Sequence, residues 1–130
     1  MARSTGPSAV VVDIVWVRDN GSCARCGTGL SFAQRGSQWS VHHRRPRGMG
    51  GTSELWVNQP ANLVCLCGSG VTGCHGWVEA NRADARDLGW LVSRNAKFVA
   101  AEIPVTYPDG RLYQLDDDGE KVPYVETRNT

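Results

Sequence analysis

A chain of 130 residues that is 41% apolar and carries five tryptophans has material for one modest core, which excludes a disordered chain and leaves little room for a second full domain. No run of about 18 apolar residues occurs, so a membrane-spanning helix is not expected. The formal net charge of +1 hides an asymmetry: residues 1–75 carry seven arginines and three acids, a net of +4, whereas residues 76–130 carry seven basic and ten acidic residues, a net of −3. A basic half suits phosphate contacts, although a solvated face explains the same charges equally well.

Residues 1–7 read as a flexible tail. The start is polar and short, and the apolar run after it lacks a small-residue cleavage site, so a soluble cytoplasmic protein is expected. The valine-rich stretch 8–21 suits a strand by composition. Val10, Ile14 and Val17 nevertheless repeat at helical spacing, Ser8 can cap the start, and Asn20-Gly21 can end it, so a helix is preferred. Cys23, Ala24, Arg25 and Cys26, followed by Gly27, form a CxxC knuckle able to grip a metal ion or act as a redox pair. No βαβ pattern surrounds it to favour the redox use. Residues 30–33 and 39–43 are short strand candidates around a turn at 34–37. A Gly/Pro-rich loop over 46–52, a turn or short helix at 54–57, an extended return over 60–67 and a glycine-rich link over 68–73 follow.

From Cys74 the pattern becomes an amphipathic helix that Gly89 stops, and residues 90–92 pack back as an apolar clasp. Residues 103–107, 111–115 and 121–125, separated by turns, predict a β hairpin or meander. The acidic run 116–120 lacks the ligand spacing of a calcium loop and reads as a solvated turn.

All five cysteines, Cys23, Cys26, Cys65, Cys67 and Cys74, fall in one region. An odd number without a secretory leader argues for four thiolates around one structural Zn2+ and one spare, rather than for disulfides. The three histidines are His42, His43 and His75. Neighbours on a strand point to opposite sides, so one of His42 and His43 can bind metal while the other accepts a proton. Imidazole suits both tasks near neutral pH.

The ordered combination CxxC, HHxxPxGxGG, Asn-Leu-x-x-Leu-Cys and Cys-His resembles HNH endonucleases of the ββα-metal type, and more narrowly the compact HNH proteins of bacteriophages that infect actinobacteria. It covers about residues 16–92. The resemblance implies an α+β fold: a small ββα-metal (HNH/His-Me finger) core with a structural four-cysteine zinc knot over residues 8–95, with the C-terminal β extension (96–130) outside it. It implies His42 and His75 as ligands of a catalytic divalent ion, and His43 as the general base. Asn62 would brace the loop that carries the base, and Cys23, Cys26, Cys67 and Cys74 would hold the structural zinc. Six residues separate Cys67 from Cys74 where the family often has two, which makes Cys65 a rival ligand. Glu79 stands where some members have a further histidine, and is a third ligand or a solvated side chain.

The implied activity is metal-dependent hydrolysis of DNA phosphodiester bonds, as a nick or a double-strand cut. Mg2+ favours oxygen ligands, whereas two imidazoles suit Mn2+, Ni2+ or Zn2+. Arg44, Arg45 and Arg47 would clamp phosphates. Phage DNA packaging, with terminase or other packaging proteins as partners and the host cytoplasm as setting, is the context by analogy. The alternatives are a non-catalytic zinc-ribbon DNA-binding module, which needs the cysteines but not His43, and a packaging-complex scaffold.

Overall fold

The computed structural model describes residues 6–46, 55–93 and 99–125. Most of the N-terminal tail and of the expected loop at 46–52, Arg47 included, lie outside them. In chain order the elements are α1 (Ala9–Arg18), β1 (Trp39–His43), β2 (Leu63–Cys67), α2 (Gly73–Ala80), α3 (Arg82–Asp87), β3 (Val105–Thr106), β4 (Leu112–Leu115) and β5 (Lys121–Pro123). β1 and β2 pair antiparallel, with Trp39 opposite Cys67 and His43 opposite Leu63, and α2 packs on both strands. The C-terminal strands form a separate meander in the order β3-β4-β5. Among the described residues, no helix is long and apolar enough to cross a membrane.

α1 begins where the Ser8 hydroxyl accepts from the Val11 amide at 3.3 Å, which offsets the low helix propensity of its valines. The element was legible, but its buried face was not. Val12 and Val15 face the core, while Val10 and Val17 are 68% and 71% exposed. The side is set by the end of the helix, where Arg18 and Asp19 are both buried. Arg18 donates to Asp19 and to the carbonyls of Pro60 and Leu63, and Asp19 accepts from the Cys65 amide and the Tyr107 hydroxyl. A buried ion pair has to bring its hydrogen-bond partners with it.

Two further expectations change. Residues 30–33 form no strand: Gly29 makes an isolated bridge to Ser22, Phe32–Gln34 is a 3-10 turn, and the partner of β1 is β2. The helix from Cys74 is broken at Asn81, whose φ of −128° and ψ of 55° leave the helical region, so α2 and α3 are separate helices.

β2 is buried along nearly its whole length. Leu63 and Cys65 pack with Val12, Val15 and Trp39, whereas Val64 and Leu66 pack with Val78, Ala85, Leu91, Val105, Tyr107 and Leu115. The second cluster runs across the 95/96 boundary, so the C-terminal segment shares the core of the part that carries the cysteines and histidines.

Arg44 carries a correction with a clear cause. Expected as a phosphate clamp, it is 0% exposed. The strand alternation continues past β1, which puts position 44 on the buried side with His42 rather than beside His43. Its guanidinium donates to the carbonyls of Gly89 at 2.9 Å, Ala61 at 2.9 Å, Ala100 at 2.9 Å and Ile103 at 2.6 Å. Arg44→Ala would remove the side-chain donor from all four carbonyls, of which Ala100 O keeps another, the Ile103 amide, and is expected to cost about 3 kcal/mol or more in urea unfolding. Arg44→Lys is expected to recover little, because an ammonium cannot reproduce the planar fork.

Candidate metal-binding cleft

Four thiols converge where the knuckle after α1 meets the end of β2 and the start of α2. Cys23 is placed by its amide, which donates to Thr28 O at 2.9 Å, and the knuckle is tied to β2 by Ala24 N donating to Cys65 O at 2.8 Å. The sulfurs of Cys23, Cys26, Cys67 and Cys74 all lie within 4.8 Å of one another. A tetrahedral zinc site with bonds of about 2.3 Å has sulfur–sulfur edges of roughly 3.8 Å. Cys26 Sγ and Cys67 Sγ stand 3.8 Å apart. Burial pushes the Cys74 thiol up, against a hydrogen bond from Arg25 that favours the thiolate, so a thiolate there calls for a cation beside it.

Cys65 is not part of this cluster. It sits in the middle of β2, opposite Val41, and its side chain packs with Val12, Val15 and Trp39. Cys67 closes the strand, and its sulfur reaches the knuckle there. The long Cys67–Cys74 link is accommodated by two glycines. Gly68 and Gly73, with φ of +85° and +61°, fold the chain back so closely that a Cβ on Gly68 would lie 2.0 Å from Thr72 O. Val71 at the tip is 89% exposed, so the extra residues bulge outward.

The second cluster is His42, His75 and Glu79, whose ligand atoms also lie within 4.8 Å of one another. His42 Nε2 donates to Trp90 O at 2.8 Å. A carbonyl only accepts, so the proton is on Nε2 and the lone pair on Nδ1, as a metal-binding imidazole requires. Burial, with the neighbouring His75 next in effect, pushes the His42 imidazole down to about 3, so it is neutral at any physiological pH. Its ring meets that of His75 edge to face at 5.1 Å between centroids. The buried His75 Nδ1 has no hydrogen-bond partner among the described residues, and Nε2 is 3.9 Å from Glu79 Oε1. An orphaned imidazole nitrogen beside a neutral imidazole and a carboxylate is a donor set that suits a divalent ion.

His42, His43, His75, Glu79 and Arg82 line one cleft of about 220 Å³, with Val41, Pro46 and Leu91. His43 Nε2 is 2.8 Å from Asn58 Oδ1. Asn62 is 2% exposed and joins two segments: its Oδ1 accepts from Arg45 N at 2.8 Å, and its Nδ2 donates to Arg45 O at 3.2 Å and to Val57 O at 2.9 Å. Arg45 lays its guanidinium over the Trp56 ring at 4.9 Å. Arg47 is outside the described residues.

Asn58, Arg82 and Arg25 were not singled out from the sequence. Arg82 had a signal, since it follows His75 and Glu79 at helical spacing; its Nη1 contacts Glu79 Oε2 at 2.7 Å. Arg25 lies inside the knuckle, with its guanidinium 3.8 Å from the Trp77 ring centre and 3.3 Å from Cys74 Sγ. Asn58 had none, because fifteen positions separate it from His43.

Compared with protein families, curated proteins and solved structures, the chain finds no match. It is a small α+β domain with a four-cysteine cluster and a separate cluster of two histidines and a glutamate, each of which could coordinate a metal ion. Zinc analysis of purified variants checks the thiol assignment. Cys67→Ser is expected to lose both bound zinc and cooperative unfolding, because a structural zinc contributes folding free energy directly. Cys65→Ser is expected to keep a full zinc equivalent; its loss there would shift the ligand set from Cys67 to Cys65.

Proposed function

We propose that the chain is a metal-dependent endonuclease of the HNH type, hydrolysing phosphodiester bonds in DNA. The observation that carries this reading is the meeting in one cleft of His43, a metal-competent His42–His75–Glu79 set and the Arg82 guanidinium. A zinc-ribbon module needs the thiols but gives no reason for a second donor set beside an additional imidazole. The Arg82 guanidinium lining the cleft, with Arg45 just beyond the end of β1, favours an anionic substrate.

A divalent ion held by His42, His75 and Glu79 would polarise a phosphoryl oxygen and stabilise the departing 3′-oxygen. His42 supports that role by staying neutral and by having its ring fixed through Trp90 O. His43 accepts a proton from a water molecule as that water's oxygen attacks phosphorus, and the P–O3′ bond breaks as the new P–O bond forms. Arg82 pairs with a phosphate oxygen, drawing its guanidinium partly from Glu79. Asn62 keeps the end of β1 and the turn at Val57 in register, so that His43 stays at the cleft. Arg45 contacts the flanking backbone of the DNA strand.

Incubation with supercoiled plasmid tests this directly. Wild-type protein is expected to nick or linearise the plasmid with added Mn2+, Ni2+ or Mg2+, and His43→Ala to be slower by about 100-fold or more. Retained DNA binding with no cleavage under any of the metals would favour the binding module.

A further inference from the structure

Asn58 belongs to none of the sequence motifs, yet its side chain meets the ring of His43. The carboxamide Oδ1 stands 2.8 Å from Nε2, a short and partly buried contact. Asn58 ends the 3-10 turn Leu55–Asn58, and that turn is held from two sides. Asn62 Nδ2 donates to Val57 O at 2.9 Å, and Gln59 N donates to Trp56 O at 3.2 Å. Asn62 in turn holds both backbone groups of Arg45, two residues beyond His43. The turn bearing Asn58 and the strand end bearing His43 are thus locked to one buried amide.

We infer that Asn58 is the positioning residue for the His43 imidazole, and this role rests on the hydrolytic reading above. A carboxamide oxygen can only accept, so it keeps the proton on Nε2 and the lone pair on Nδ1, and it fixes the plane of the ring. As Nδ1 takes a proton from water, one water O–H bond breaks, an Nδ1–H bond forms and the ring becomes cationic. The Nε2–H···Oδ1 bond is then charge-assisted, stronger in the transition state than before it. Asn62 secures the backbone around the base, and Asn58 secures the base itself.

The test compares plasmid cleavage by wild type, Asn58→Ala, Asn58→Asp, His43→Ala and the Asn58→Ala/His43→Ala double variant, at saturating metal. Asn58→Ala is expected to lower kcat by about 10- to 100-fold with KM, zinc content and melting midpoint unchanged, the range typical of lost ring-orienting partners. Asn58→Asp, which keeps the acceptor oxygen, is expected to recover most of kcat. In the His43→Ala background, Asn58→Ala is expected to have no further effect, because it acts through the missing ring. An equal loss in both backgrounds, a rate that falls in step with zinc content, or an Asn58→Asp variant as slow as Asn58→Ala would each overturn the assignment. Independently of DNA, a water-protected His43 Nε2 proton in 1H–15N spectra is expected in wild type and lost in Asn58→Ala; its survival there would also overturn it. Absence of cleavage by wild type overturns the hydrolytic reading, and the role with it, whereas wild-type cleavage with Asn58→Ala unimpaired overturns only the role of Asn58.

Discussion

A guanidinium with no exposure to solvent has to find acceptors, and at Arg44 those acceptors organise the molecule. Its donors reach carbonyls in the turn before β2, the glycine after α3, and the segment leading to β3. Its backbone is equally committed: Arg44 N donates to Asn62 O, and Val92 N donates to Arg44 O, each at 2.7 Å. An uncompensated buried charge is among the costliest defects a fold can carry, so these chain segments are held to a narrow arrangement. The consequence reaches the cleft. The 90–92 return that pairs with Arg44 also presents the Trp90 carbonyl to His42, and the Asn62 that receives its amide also holds Arg45.

The four-cysteine cluster acts on the same geometry from the other side. Cys67 closes β2 and Cys74 lies in the first turn of α2, so gathering the two sulfurs brings the helix start against the strand pair. His75 is the next residue, and it arrives edge-on to His42. The two clusters are therefore coupled through one peptide bond. Arg25 strengthens the coupling: its guanidinium reaches both the Trp77 ring of α2 and the Cys74 sulfur.

His42 and His43 are neighbours on one strand, yet they meet two different environments. Alternation turns His42 inward, where desolvation removes its capacity for positive charge and a carbonyl selects its tautomer. The same alternation turns His43 toward the partly buried rim, where a side-chain amide meets it. Environment, rather than residue type, sets the two imidazoles apart.

The sequence by itself determined the inventory. The CxxC knuckle, the later cysteines and the paired histidines could be read because their chemistry is local and their spacing carries meaning, whereas Asn62 was picked out through the family resemblance alone. α1, β1 and the C-terminal meander were likewise legible through a cap, alternation and turn residues. The buried face of α1, the pairing of β1 with β2, the gathering of Cys67 rather than Cys65 into the thiol cluster and the burial of Arg44 were decided by the tertiary structure. Each depends on which distant segment supplies a partner, and short apolar or basic runs do not encode that. Asn58 is the clearest case: nothing within its own neighbourhood marks it, and it meets His43 only because a buried amide and a buried guanidinium hold two remote turns together. Ligand type is written in single residues, but the distance between residues is decided by the packing and hydrogen bonds of the whole chain.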